Sequence, residues 1–376
     1  VIRALVRLLP APRRRSFARG LPDGLRLLSL IVPAVLLAAA CRQQNAVALR
    51  KQTRLMMDTY VTIQAAGPAK SADKAIEAAF GRLEEISHKF NFLDSTSPVH
   101  AFNVDNVPLT DPEVVDVVKA AAAVSEASGG AFDITVRPLV ELWGFYGDHP
   151  AVPSQRAIDS CLKMVGYKNL VVEPGRVTKR RPDVTIDLGG IAKGYGLGEA
   201  ARLLRAGGVD SAIIDLGGDV YALGRKGNQN WKVGIRNPRG DGIVGIAAVS
   251  NLAVVTSGDY ERYFWGPPRD TIRNAEAGFG HVPTDSVRYC HIIDPATGWP
   301  PRGLISTTVV MRDPLTAQGW SKVLFIRGID AMPLVEKTGG IEAVLINDSM
   351  RAFCTPGLVS AMDTTLLNGL TGSAGR

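Results

Sequence analysis

At 376 residues with 46% hydrophobic content, the chain is long enough to bury a full core, as one large domain or two lobes, and is neither disordered nor fibrous. Its formal net charge of +7 sits almost entirely in residues 1–40, which hold seven arginines and a single acid, Asp23. The remainder is nearly neutral, which excludes the broad basic patch of a nucleic-acid binder.

Residues 1–40 read as an export signal. A basic region precedes Leu27–Ala40, "LLSLIVPAVLLAAA", an apolar run that contains Pro33 and is shorter than the roughly 20 residues of a spanning helix. Ala38, Ala39 and Ala40 stand directly before Cys41, which resembles a bacterial lipoprotein processing box, with Leu37 one place earlier than the usual apolar position. Cys41 is then the lipidated N-terminus and membrane anchor of a periplasmic protein, and a plain signal peptide cut nearby is the alternative. Arg13–Arg19, "RRRSFAR", also resembles a twin-arginine export signal. Residues 41–52 read as a polar tether, 53–360 as the folded domain and 361–376 as a flexible tail. Cys161, Cys290 and Cys354 lack metal-ligand spacing, which argues against zinc. An oxidising compartment allows at most one disulfide among the three, and the sequence leaves the pair open.

Met56–Ala65, rich in Tyr, Val, Thr and Ile, predicts a strand. Ser71–Phe90 predicts a helix, with Ile76, Phe80, Leu83, Ile86 and Phe90 at three- and four-residue spacing and Ser71 as its cap. Asp111-Pro112-Glu113 opens a second helix that Gly129-Gly130 closes. Gly194–Ala206 is a third, ended by Gly207-Gly208. Short β runs follow at Ser211–Asp215, Trp231–Ile235, Ala247–Thr256, Ser306–Met311 and Glu342–Asn347. A final helix starts at Asp313-Pro314 and runs to about Ile326 before Gly328. Helices and strands mix without regular alternation, so the expected class is α+β rather than a doubly wound sheet.

Two apolar runs end in the same four residues. Val184–Gly196, "VTIDLGGIAKGYG", contains Asp-Leu-Gly-Gly from Asp187, and Ala212–Asp219, "AIIDLGGD", repeats it 28 residues later. Neither copy fits a known phosphate loop, and two copies with different flanks are no solenoid. In the first, a strand delivers Asp187, two glycines admit close backbone approach, and a helix starts at once, so free N–H groups and Lys193 can face an anion. A tight strand-to-helix turn with a carboxylate cap is the plainer alternative. The second copy reads as a structural turn.

Eight ordered blocks carry a family resemblance: Met57-Asp58-Thr59, "GAFDITV" from Gly130, "LWGF" from Leu142, "DLGGIAKGYG", "DLGGDVYALG", "WKVGIRNP" from Trp231, "TSGDYERYF" from Thr256 and "HIIDPATGWP" from His291. From Met57 to about Gly328 the chain resembles the ApbE-type FAD:protein FMN transferases. The resemblance implies an α+β, T-fold-related flavin-transferase domain of two lobes with mixed or antiparallel sheets. It also implies transfer of FMN from FAD to a serine or threonine of an acceptor flavoprotein, with release of AMP. Such chemistry needs charge neutralisation at the pyrophosphate, donors near its oxygens and a base for the attacking hydroxyl. The resemblance places FAD contacts at Met57, at Ala131, Phe132 and Asp133, at Asp187, at Lys193 and at Ile292, with His291 as the catalytic base.

Two positions depart from the family pattern. In "FNFLDSTSPVHAFN" from Phe90, Leu93 stands where the family has a flavin-stacking tyrosine, with Phe92 beside it. In the last helix, Gln318 and Lys322 replace the Asp and Thr that, with a backbone carbonyl matching Gly190, hold Mg²⁺ in the family. Gln318 keeps only a neutral carbonyl oxygen, and Lys322 has no acceptor and its own positive charge. An ordinary magnesium site is therefore not expected. Three readings remain open: a working transferase in which Lys322 supplies charge against the pyrophosphate, an FAD-binding lipoprotein without transfer activity, and a solute-binding lipoprotein.

Overall fold

The computed structural model describes residues 47–269 and 286–363. The export signal, Cys41 and all but the first residues of the C-terminal tail lie outside them.

An eight-stranded sheet organises the fold, with every neighbouring pair antiparallel. From edge to edge its strands are Val47–Met56, Thr59–Pro68, Ser211–Leu216, Asp219–Leu223, Leu252–Gly258, Leu304–Met311, Glu342–Asn347 and Ala352–Cys354. Alternate residues of the central strands enter two different cores. Tyr221 and Leu223 join the cluster that holds the helices Ala69–Phe90, Ala192–Ala206 and Pro314–Arg327. Val220 and Ala222 join a second cluster with Trp231, Val233 and Ile235 of a three-stranded sheet. Helices thus cover one face of the large sheet and a small sheet covers the other, so its inner strands are buried on both sides. A third, aromatic cluster gathers Trp143, Phe145, Tyr289 and Trp299, with the Trp143 indole N–H donating to the Gly298 carbonyl at 2.9 Å. The architecture is α+β with antiparallel sheets, as expected.

Cap chemistry placed the helix starts well. The Asp111 carboxylate accepts from the backbone N–H groups of Glu113 and Val114 to start Pro112–Ala127, and Asp313 does the same for Leu315 and Thr316 to start Pro314–Arg327. Ser71 is not a cap. The Ala69–Phe90 helix begins after Pro68, and the Ser71 hydroxyl donates to the Pro68 carbonyl. Ala247–Thr256 is two strands rather than one, Ile243–Val249 in the small sheet and Leu252–Gly258 in the large one. The chain reverses between them at Asn251, whose φ of 53° suits asparagine's tolerance of the left-handed region. The strand Val47–Met56 takes in residues 47–52, expected to be tether. It is a charged edge strand whose Arg50 and Arg54 pair with Asp73 and Glu77 of the first helix, so it lacks an apolar alternation to announce it. Cys161, Cys290 and Cys354 are free thiols, so no disulfide joins any two of them.

Candidate active site

The site begins with a contact between two helices. A Cβ on Gly194, in the first turn of Ala192–Ala206, would run into the Pro314 carbonyl oxygen and lie 2.8 Å from Leu315 Cα. Glycine at this position lets the two helix starts touch. The contact sets Gln318, one turn into Pro314–Arg327, against Gly194 itself, where an added Cβ would lie 2.8 Å from Gln318 Cγ.

Gln318 is 1% exposed and hydrogen-bonded at both ends. Its Nε2 donates to Asp219 Oδ2 at 2.6 Å, and its Oε1 accepts from Lys322 Nζ at 2.6 Å. The spacing of four residues puts Gln318 and Lys322 on one helical face. Asp219 also accepts from the Thr256 backbone N–H at 3.1 Å and lies 3.8 Å from Lys193 Nζ. Its turn is held by Gly218 N–H donating to Asp215 Oδ1 and by Gly217 packing, at φ 62°, against Thr59. The second Asp-Leu-Gly-Gly is therefore more than a structural turn: its closing Asp219 is a member of the site, joined to the last helix 99 residues away. Burial raises the Asp215 carboxyl above its usual range, with the Asp219 charge acting the same way.

His291 directly follows the Val287–Cys290 strand. Its backbone N–H donates to the Arg262 carbonyl at 3.0 Å, and its Nδ1 lies 3.3 Å from the same oxygen. Surrounding protein, then the positive charges of Lys322, Arg262 and Lys193, push its pKa down to about 4 and keep the ring neutral at pH 7. Arg262 lies 3.5 Å from Asp58 in the Met57-Asp58 turn. That turn joins the first two strands with φ of 52° and 57° at two residues that are not glycine. Such backbone strain, unusual for a methionine, is held where a surrounding constellation fixes it. Lys322 is pushed down to about 8, chiefly by burial and also by Lys193, while Asp219 acts in the opposite direction.

The other expected residues fall into two groups. Asp187 accepts from the Tyr146 hydroxyl at 2.6 Å and from Gly189 N–H at 2.7 Å, so it sits at the mouth of the same turn. The Phe132 ring lies against Gly190, where a Cβ would come within 3.3 Å of it, and Ala131 and Ile292 are buried. Asp133, in contrast, faces inward. It is 5% exposed and its oxygens accept from Thr135 N–H, the Thr135 hydroxyl and Tyr167 N–H, so it braces the Ala131–Asp133 turn. Burial raises its carboxyl above the usual range. Leu93 is 67% exposed, and Phe92 is no open stacking platform because Tyr146 and the Arg137 guanidinium cover its ring.

Asp219, Tyr146 and Arg262 were not anticipated. All three lie within or beside the quoted blocks, at "DLGGD", after "LWGF" and in "TSGDYERYF", but nothing in local spacing distinguishes them from scaffold.

A divalent ion does not fit this arrangement. Of the two donors the sequence offers, the Gly190 carbonyl and Gln318 Oε1, the second already accepts from an ammonium. A doubly charged ion about 4 Å from that ammonium meets repulsion of about 8 kcal/mol at an effective dielectric of about 20. Among the described residues no group of three His, Cys, Asp or Glu side chains could hold a metal instead.

The ApbE family model matches residues 57–345, which is more than half of the chain. The chain belongs to the ApbE family. The match runs on past Gly328 through most of the Glu342–Asn347 strand. Among ApbE relatives, the chain is 28% identical over 323 residues to an FAD:protein FMN transferase of Vibrio cholerae, covering 83% of this chain and 91% of that one. It is 29% identical to one of Treponema pallidum, covering 80% and 84%. Two solved ApbE structures share the fold: the ApbE protein of Thermotoga maritima, at 33% identity with a TM-score of 0.74, and the flavin transferase ApbE of Vibrio cholerae, at 25% with 0.71. Each covers 84% of this chain over 99% of its own length.

Proposed function

We propose that the protein is an FAD:protein FMN transferase, moving the FMN half of FAD onto a serine or threonine hydroxyl of an acceptor flavoprotein and releasing AMP. The observation that carries this reading is the convergence of Lys193, Lys322 and a neutral His291 around the start of the Ala192–Ala206 helix, which has no side-chain cap. Two ammonium groups beside the positive end of a helix suit a pyrophosphate, whose charge must be met before an oxygen can attack it; the N–H groups of Ala192 and Gly194 are themselves taken by the Leu188 and Ile191 carbonyls. In the reaction a bond forms between the acceptor hydroxyl oxygen and the FMN phosphorus while the bond from that phosphorus to AMP breaks. His291, unprotonated at neutral pH, takes the hydroxyl proton.

Met57, Ala131, Phe132, Ile292 and the Asp187–Tyr146 pair line the FAD site in this reading, with Asp133 bracing the turn beneath. Mg²⁺, expected for the family, has no step here because the residues present do not fit it. The acceptor approaches at the periplasmic membrane face, where a lipidated Cys41 would anchor the enzyme. Labelling with palmitate followed by Cys41→Ala tests that anchor.

The function is tested by incubating the protein with FAD and an acceptor flavoprotein domain and measuring AMP together with covalent flavin fluorescence on the acceptor. Equal amounts of both are expected. Unchanged FAD in the presence of a competent acceptor would overturn the reading.

A further inference from the structure

We infer that the Lys322 ammonium is the resident cation of this site, held in place through Gln318 by Asp219, and that the protein binds its pyrophosphate ligand without a divalent metal. The identity of that ligand rests on the function proposed above; the cation itself does not.

Three observations carry the inference. First, the Gln318 amide is oriented by its neighbours: its oxygen meets the ammonium and its nitrogen meets the carboxylate, each at 2.6 Å. The reversed amide would set NH₂ against ammonium and oxygen against carboxylate, so this arrangement keeps the only strong acceptor of the side chain turned towards Lys322. Second, both Asp219 oxygens are taken, by Thr256 N–H and by Gln318, in a side chain only 5% exposed. The carboxylate therefore acts on the lysine through the amide rather than serving as a metal ligand. Third, among the described residues the ammonium donates to Gln318 alone, which leaves two of its three N–H groups for ligand oxygens.

The exchange also conserves charge. A divalent ion with one carboxylate and one hydroxyl carries a net single positive charge, and so do a lysine and an amide. Changing Gln318 without Lys322, or the reverse, would break that balance, which explains why both positions differ together. Lysine is suited to the place because its ammonium is a compact point charge able to meet phosphate oxygens from one direction.

The test uses Mn²⁺ as the metal probe, with the full chain purified and treated with EDTA. Electron paramagnetic resonance of added Mn²⁺ is expected to show the ion free in the presence of wild type at millimolar concentrations. FAD affinity, read by fluorescence quenching, is expected to be the same in EDTA and in excess Mg²⁺. The paired variant Gln318→Asp with Lys322→Thr is expected to bind Mn²⁺ and to bind FAD at least tenfold more tightly with Mg²⁺ than with EDTA. Lys322→Met alone should weaken FAD binding at least tenfold under both conditions, and Lys322→Arg should recover part of the loss. Micromolar Mn²⁺ binding by wild type, a wild-type FAD affinity that rises on adding Mg²⁺, or FAD binding by Lys322→Met equal to wild type would overturn the inference, and the two readings on wild type do not depend on a variant folding. Failure of wild type to bind FAD at all would overturn the proposed function, while the Mn²⁺ result would still decide the cation.

Discussion

Gln318 Nε2 donates to Asp219 Oδ2 at 2.6 Å, so a helix near the end of the domain is tied to a β-turn in its middle by a buried, charge-assisted hydrogen bond. In Asp219→Asn the new NH₂ group would oppose the Gln318 NH₂, and the amide must turn its nitrogen away and towards Lys322. With the Thr256 N–H still partnered, the expected loss is about 1–3 kcal/mol of stability, together with weaker FAD binding. Urea denaturation and an FAD titration check both; a variant matching wild type in each would show that the carboxylate does not hold the relay.

The helix contact at Gly194 makes a prediction whose sign opposes helix propensity. Gly→Ala in a helix interior ordinarily stabilises by about 0.5–1 kcal/mol. At Gly194 the added methyl would collide with backbone atoms of Pro314 and Leu315, which cannot rotate away as a side chain could. Gly194→Ala is therefore expected to destabilise by about 1–3 kcal/mol. Gly198→Ala, one turn later, meets only Pro314 Cγ at an ordinary 3.5 Å and should be neutral or stabilising. Thermal melts of the two variants side by side give the comparison.

His291 sets an acid limit. Its pKa falls from 6.5 to about 4 in the fold, so between these values the unfolded chain binds more protons than the folded one. The stability contributed by the neutral ring is present in full above pH 6.5 and is lost as pH falls towards 4. The transfer rate should likewise hold steady down to about pH 5 and drop as pH approaches 4. Histidine-selective NMR titration and a pH–rate profile report the same group; a midpoint near 6.5 in either would contradict the assignment.

Lys322 sets an alkaline limit by the opposite charge change. With its pKa lowered to about 8, the ammonium gives up its proton as pH rises through that value, and FAD affinity should fall there. Lys322→Arg keeps its charge throughout and should remove the alkaline limb while lowering affinity at neutral pH. A limb unchanged in Lys322→Arg would assign it to another group.

What the sequence made legible follows from how local each signal is. Asp111-Pro112 and Asp313-Pro314 announce helix starts because cap, proline and helix are contiguous, and Ile76 to Phe90 reveals a buried face because the helix repeats it. Val47–Met56 was hidden because its stabilising partners are charged residues on another element. The break at Asn251 was hidden because only two residues, Ser250 and Asn251, interrupt the apolar runs of Ile243–Val249 and Leu252–Gly258. At the site, the first Asp-Leu-Gly-Gly, Lys193, His291 and the altered Gln318 and Lys322 were all visible as residues. Asp219 was not, because its role exists only once the Gly194 contact has brought Gln318 across to it. The inward turn of Asp133 likewise depends on Tyr167, 34 residues away.

FMN transfer driven by protein cations alone, as proposed above, needs no divalent metal. Its most direct test is AMP release measured with FAD and acceptor domain in EDTA and, in parallel, in excess Mg²⁺. The same AMP yield and the same covalent flavin on the acceptor are expected in both. AMP release that appears only when Mg²⁺ is added would contradict it.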